Sequence, residues 1–121
     1  MKHTALIVDD EKNPRDRLRE LLRAWEHVVE VVGEADNGPD AVRRIKQLQP
    51  DLLFLDIRLP GMDGFEVVQR LDKQPLVIFT TAYHEHALEA FGTNSIAIDY
   101  LLKPVRAEDL ERAVKKLVDF D

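Results

Sequence analysis

Five polar residues of this 121-residue chain stand where hydrophobic runs end, and their types suit one kind of chemistry. In chain order they are Asp9, Asp10, Asp56, Thr81 and Lys103. Three carboxylates that lie together repel one another unless a cation neutralises them. Mg²⁺ suits such a place, because it is held by one or two carboxylates and keeps several waters. A neighbouring hydroxyl and ammonium could contact a phosphoryl group. The set therefore predicts a site for a divalent cation and a phosphoryl group.

Each of these residues also has a purely structural explanation. The pair Asp9-Asp10 alone is best explained as a turn that caps the first helix. A lone Asp56 would start a loop, Thr81 would cap a strand end, and Lys103 would be a surface lysine. The chemical interpretation depends on their meeting at one edge of a sheet.

Short apolar runs alternate with amphipathic stretches, which predicts five β/α units. Strands are expected over residues 5–8, 28–32, 52–55, 76–79 and 98–102. The fold class is α/β, a doubly wound five-stranded parallel sheet with five helices, in the flavodoxin-like order 2-1-3-4-5. In such sheets ligands bind outside the carboxyl ends of the strands, at the point where strand order reverses. Strands one and three flank that point, which places Asp56 beside the acidic pair.

Five helices are expected between and after these strands. Pro14 suits the first turn of the first helix, and the second is expected to turn Leu48 inward. Asp63 is a plausible N-cap of the third. The fourth is expected over about residues 84–91, and the fifth after Pro104. The Lys103–Pro104 bond is a candidate cis peptide that could aim the lysine at the site.

Composition excludes several classes of function. With no cysteine in the chain there is no disulfide framework, thiolate zinc site or cysteine nucleophile. A net charge of −6 argues against direct contact with nucleic acid. No apolar run could span a bilayer, and the first residues lack a signal-peptide layout, so we expect a cytoplasmic protein. A metal role for His84 and His86, two residues apart, is not expected.

At this level of detail the chain resembles the receiver domain of two-component response regulators. The resemblance covers essentially the whole chain, so residues 1–121 are expected to form one receiver domain, with any effector domain outside it. The run Thr81-Ala82-Tyr83 and the segment 87–91 look most like receivers joined to LytTR-type (LytR/AlgR) DNA-binding domains, although His86 stands where those often have tyrosine. The motifs that carry the resemblance are residues 6–11, 55–64, 79–82 and 99–104.

The resemblance implies a role for each residue of the site. Asp56 would be the phosphoacceptor. Asp10 and Asp56 would coordinate Mg²⁺, with Asp9 helping through water and the main-chain carbonyl of Arg58 as a further ligand. The two remaining polar residues, Thr81 and Lys103, would contact the phosphoryl group. Tyr100 would be the aromatic residue that changes rotamer on activation.

The resemblance also implies partners and an output. A sensor histidine kinase would supply the phosphoryl group, and the domain would catalyse only its own phosphorylation and dephosphorylation. Phosphorylation would favour a homodimer through helix four, strand five and helix five, and so regulate transcription through a DNA-binding output domain. Opposite charges expected on or near that face are those of Glu89, Asp99, Arg106 and Arg112.

Two alternatives remain open from the residues. A phosphatase of the haloacid dehalogenase type also uses Asp, Thr, Lys and Mg²⁺. It needs a second aspartate two residues after the nucleophile, where this chain has Arg58. A degenerate receiver would bind partners without being phosphorylated, and the intact set of polar residues argues against it.

Overall fold

The computed structural model describes residues 2–83 and 97–119. Five parallel strands form one sheet in the order β2-β1-β3-β4-β5. The strands are β1 His3–Val8, β2 Val29–Ala35, β3 Leu52–Asp56, β4 Leu76–Thr81 and β5 Ala97–Leu102. The predicted α/β fold with flavodoxin-like strand order is therefore confirmed.

The helices of the described residues cover both faces of the sheet. They are α1 Lys12–Leu22, α2 Gly38–Leu48, α3 Gly64–Gln69 and α4 Ala107–Asp119. A single 3₁₀ turn, Arg23–Trp25, follows α1. The helix expected over residues 84–91, and with it Glu89 and the two histidines, lies outside the described residues, so α4 is the fifth helix of the sequence prediction. Among the described helices, none combines the length and apolarity that a membrane crossing would need.

The hydrophobic core is divided between the two faces of the sheet. On one face, α1 and α4 pack over strand residues that include Ile7 and Phe54. On the other face, α2 and α3 pack over the alternate strand residues, which include Val8 and Leu55. Every residue of β3 is buried, as expected of a central parallel strand covered on both sides. The strand that ends at Asp56 is therefore held in place from all directions.

Three details of the sequence prediction are tested by the model. Asp63 caps α3, because its Oδ1 accepts the Glu66 N–H at 2.9 Å. Pro14 lies in the first turn of α1, which begins two residues earlier, at Lys12. The inward placement of Leu48 is wrong, since this side chain is 41% exposed. It lies over Gly33 of the edge strand β2, at the border of the core.

Candidate functional site

The predicted site residues follow strands that end at the same edge of the sheet. Val8 pairs with Leu55, so Asp9 and Asp56 leave neighbouring strands side by side. Asp56 pairs with Thr80, and Thr81 pairs with Leu102. Lys103 comes directly after β5, and its N–H donates to the Thr81 carbonyl at 2.8 Å. The register of the sheet thus sets the order of the polar residues along the edge.

The Lys103 ammonium joins two of the three carboxylates. Its Nζ lies 2.6 Å from Asp9 Oδ2 and 2.7 Å from Asp56 Oδ2. Both aspartates are buried, with exposures of 2% and 4%. The contact with Asp9 was not expected from the sequence. One ammonium therefore serves two buried acids. The Lys103–Pro104 peptide bond is cis.

Main-chain N–H groups bind the other oxygens of the two buried acids. Asp9 Oδ1 accepts from Glu11 N–H at 2.9 Å, and Asp56 Oδ1 accepts from Arg58 N–H at 3.2 Å. Both bonds span two residues, as in Asx turns. They fix the carboxylate planes with respect to the loops that follow β1 and β3.

The donor set fits a magnesium ion. Asp9, Asp10 and Asp56 each offer a carboxylate oxygen, and these oxygens lie within 4.8 Å of one another. Opposite ligands of Mg²⁺ are separated by roughly 4.2 Å, twice its bond length, so only small adjustments would be needed. Asp10 is exposed and faces solvent, from which a hydrated ion would arrive. Three carboxylates beside one ammonium also leave two negative charges unbalanced, and a divalent cation would neutralise them.

Burial changes the proton affinities of the central pair. It raises the pKa of the Asp56 carboxyl above its usual 3.8; the hydrogen bond and charge of Lys103 only partly oppose this, and the Asp9 carboxylate adds to the rise. Burial alone would lower the pKa of Lys103, but the hydrogen bonds to Asp56 and Asp9 outweigh it and raise the pKa. The lysine therefore stays charged. Its charge does not fully offset the burial of the Asp56 carboxylate, and in this sense Asp56 is under-compensated.

Thr81 and Tyr100, the two predicted switch residues, lie on β4 and β5. Thr81 is buried at the end of β4, and its Oγ1 accepts the Tyr83 N–H at 3.0 Å. Tyr100 is half-buried on β5 and packs against the core on the α2–α3 face. The guanidinium of Arg58 lies over the Tyr83 ring, 4.4 Å from its centroid. This cation–π contact joins the loop that follows β3 to the residues that follow β4, and sequence reasoning missed it.

A tight turn supports Asp56 from behind. The Gly64 N–H donates to the Ile57 carbonyl at 2.7 Å. A Cβ at Gly64 would lie 2.6 Å from the Asp56 carbonyl oxygen, closer than van der Waals contact allows. Gly61 has φ +79°, a left-handed conformation that glycine adopts without strain. The loop then reaches α2, where Gly38 N–H donates to the Pro60 carbonyl at 3.3 Å.

Two cavities of the described residues lie at opposite ends of the strands. The one beside the carboxylates has a volume of about 240 Å³ and is lined by Asp9, Lys103, Pro104 and residues of α1. The larger, about 810 Å³, lies at the amino ends of the strands around Asp51 and Pro75. The larger cavity contains none of the predicted site residues, whereas the smaller one borders two of them, Asp9 and Lys103.

Comparison with known proteins gives one consistent family. The model of the response regulator receiver domain matches residues 5–115. The positive alginate biosynthesis regulatory protein of Pseudomonas aeruginosa is 47% identical over 114 residues, which cover 92% of this chain and 45% of that protein. The transcriptional regulatory protein BtsR of Salmonella typhi is 43% identical over 114 residues, covering 93% of this chain and 46% of that protein. The chain thus spans about half the length of the curated relatives it matches.

A solved structure supports the same assignment. The REC domain of AraT, a response regulator from Geobacillus stearothermophilus, superimposes with a TM-score of 0.86 at 33% identity. The match covers 99% of this chain and 95% of that domain.

Proposed function

The chain belongs to the response regulator receiver domain family, which acts in two-component signalling, and from that premise we propose that it is a switch phosphorylated on Asp56. The observation that carries the proposal is the under-compensated Asp56 carboxylate. It is buried, shares one ammonium with Asp9 and lies beside Asp10. Such a carboxylate can still bind a cation and can form a new covalent bond.

The proposed reaction is a phosphoryl transfer from a phosphohistidine of a sensor kinase. An Asp56 carboxylate oxygen attacks phosphorus in line, forming an O–P bond while the N–P bond breaks. The histidine nitrogen keeps the electron pair. The product is an acyl phosphate, which water later hydrolyses to regenerate the carboxylate and release phosphate. The protein mainly positions the groups and neutralises charge, as is general for phosphoryl transfer.

Each of the other residues has a positioning or charge role. Bound Mg²⁺ would neutralise charge on the phosphoryl oxygens. Asp10 and Asp56 would hold the ion directly, Asp9 would act through water, and the Arg58 carbonyl would add a ligand. Lys103, which now spans two carboxylates, would exchange one of them for a phosphoryl oxygen. The domain would catalyse only its own phosphorylation and dephosphorylation.

Activation would be transmitted through Thr81 and Tyr100. The Thr81 hydroxyl, which now bonds the Tyr83 N–H, would turn towards the new dianionic group. Tyr100 would then move into the space that Thr81 leaves. The surface formed by the fourth predicted helix, β5 and α4 would change and favour a homodimer.

The charges expected at the dimer interface need one correction. Asp99 is buried and binds Arg112 within the same chain, at 2.9 Å. We therefore remove both residues from the charges proposed to pair across the two-fold axis. Sedimentation with and without beryllofluoride and Mg²⁺ tests the dimer. A monomer that persists in both conditions across a wide concentration range would contradict it.

We further propose that the output is regulation of transcription in the cytoplasm, through a LytTR-type DNA-binding domain outside residues 1–121. Support comes from relatives whose names describe regulatory proteins and from the half of their length that this chain does not match. A dimer would suit recognition of two half-sites, and the acidic receiver would not itself contact DNA.

Intact mass after incubation with acetyl phosphate and Mg²⁺ tests the proposed function. One added phosphoryl group is expected, and none without Mg²⁺. No mass change would favour a receiver that acts without phosphorylation. Steady turnover of phosphate esters would instead favour a phosphatase.

A further inference from the structure

Arg15, on the inner side of α1, makes two hydrogen bonds that the proposed phosphorylation chemistry does not use. Its Nη1 donates to the main-chain carbonyl of Asp9 at 2.7 Å. Its Nε donates to Glu34 Oε1 at 2.8 Å, at the end of β2. The Arg15 side chain is only 16% exposed, so both bonds are partly shielded from solvent. The guanidinium thus links the acidic loop to the neighbouring strand.

The carbonyl that Arg15 binds belongs to the peptide group between Asp9 and Asp10. A peptide group is planar, so fixing the direction of this carbonyl also fixes the N–H of Asp10 and the direction in which its chain continues. The Asp9 carboxylate has restraints of its own, from Lys103 and the Glu11 N–H. The Asp10 carboxylate is exposed, and its placement depends on the main chain.

Glu34 gives this contact its charge balance. It accepts hydrogen bonds from Arg15 and also from Arg19. The Glu34 carboxylate thus neutralises guanidinium charge close to where a cation would bind. Groups that hold metal ligands in place from outside typically change metal affinity about 10–100-fold when removed.

We propose that Arg15 is a positioning residue for Mg²⁺: by holding the Asp9–Asp10 peptide group, it keeps the Asp10 carboxylate directed at the ion. This inference rests on the proposed function, because it takes the acidic cluster to be the magnesium site. It does not require Arg15 to touch the ion, the phosphoryl group or Asp56.

The test compares Arg15→Met with the matched control Arg19→Met. Methionine keeps the apolar stem and removes the donors. Arg19 binds the same Glu34 but has no contact with the Asp9 carbonyl, so its loss perturbs the ion pair alone. Mg²⁺ binding is measured by titration calorimetry on the whole chain at fixed ionic strength.

We expect Arg15→Met to raise the Kd for Mg²⁺ by about 10-fold or more, and Arg19→Met to leave it near the wild-type value. With acetyl phosphate, the Mg²⁺ concentration for half-maximal rate should rise by the same factor in Arg15→Met, while the rate at saturating Mg²⁺ returns to that of wild type. A purely structural role would also lower the rate at saturating Mg²⁺. If Arg15→Met does not fold, Arg15→Lys, which can reach only one of the two partners well, must bind Mg²⁺ more weakly than Arg19→Met.

An unchanged Kd in the Arg15 variants, or equal losses in the Arg15 and Arg19 variants, would overturn the inference while leaving the proposed function intact. Wild-type protein that binds no Mg²⁺ would overturn both.

Discussion

Two buried carboxylates on this sheet are neutralised in opposite ways. Asp99, 2% exposed on β5, binds Arg112 Nε at 2.9 Å, Lys116 Nζ at 3.3 Å and the Tyr100 N–H at 2.8 Å. Asp56, 4% exposed at the end of β3, has one ammonium that it shares with Asp9. Within residues 2–83 and 97–119, Asp99 therefore contacts two cationic side chains, whereas Asp56 and Asp9 share one.

The difference shows how a protein separates holding the fold together from doing chemistry. At Asp99 the charge is fully matched, and the bonds fasten α4 to β5. At Asp56 burial raises the pKa of the carboxyl, the Asp9 carboxylate adds to the rise, and Lys103 only partly opposes it. The shared ammonium leaves room for a further cation. A perturbed carboxyl beside specific charge partners is typical of a functional site. Counting the cations around each buried acid therefore distinguishes the two regions.

Replacing each acid by its amide gives the largest expected effect. Asp56→Asn should abolish phosphorylation by acetyl phosphate, because it removes the nucleophile. Asp99→Asn should still accept one phosphoryl group, because Asp99 holds α4 rather than the site. Intact mass measures both. Modification of Asp56→Asn at the wild-type rate would show that the phosphoacceptor has been misassigned.

Removing the Lys103 ammonium, which Asp9 and Asp56 share, tests the region around Asp56. Lys103→Met should still be phosphorylated, at a rate lower by about 10²-fold, the usual scale for losing one group that stabilises transition-state charge. Its phosphorylated form should fail to dimerise, since Lys103 would hold the loop after β5 in the active arrangement. Phosphorylation is followed by mass and dimerisation by sedimentation. Normal dimerisation of the phosphorylated variant would refute this.

Removing a cation that pairs with Asp99 should lower the stability of the fold and leave phosphorylation unchanged. Arg112→Met should lower the free energy of unfolding by about 2 kcal/mol, the scale of a hydrogen bond to a charged group, because Asp99 would lose the nearer of the two cations that the described residues give it. Lys116→Met, whose contact with Asp99 is longer, at 3.3 Å, is the milder control. Urea unfolding gives the stability, and phosphorylation rates should match wild type. A larger loss of unfolding free energy in Lys116→Met than in Arg112→Met would contradict the expected order of the two contacts.

Glu34 offers a third, partly exposed carboxylate and the smallest expected effect. Burial alone would raise its pKa, but hydrogen bonds from Arg19 and Arg15 outweigh it and lower the pKa below 4.5. Its ionised form therefore stabilises the fold above pH 4.5, and this contribution is lost as pH falls through the lowered pKa. Glu34→Gln should cost about 0.5–1 kcal/mol at pH 7, as for exposed ion pairs. Unfolding curves of the two proteins should converge in acid, and a difference that widens there would contradict the sign.

The meeting of these polar residues at one edge of the sheet could be predicted from sequence because strand ends are local features. An apolar run followed by a polar residue marks the end of a buried strand, and parallel topology then brings those ends to one edge. Asp9, Asp56, Thr81 and Lys103 were placed at that edge in this way, whereas their chemical roles stay predictions. The N-cap of α3 at Asp63 was found because it too depends on a few adjacent residues.

The partners of charged side chains could not be predicted in this way. Asp99 was expected at an interface and is buried against Arg112, 13 residues further along the chain. The contacts of Arg15 depend on how far α1 is rotated over β1 and β2, and this rotation is set by tertiary packing. Leu48 was misplaced because its burial depends on where the core ends above the edge strand.

Gly64 limits the variation that this site can accept. Gly64 matters because it has no side chain: a methyl group there would press on the main-chain carbonyl of Asp56. Even a change to alanine would displace the main chain at Asp56, the proposed phosphoacceptor, without altering any charge or ligand. The proposed switch therefore depends on a residue with no side chain as well as on the acids, and screens restricted to charged positions would overlook it.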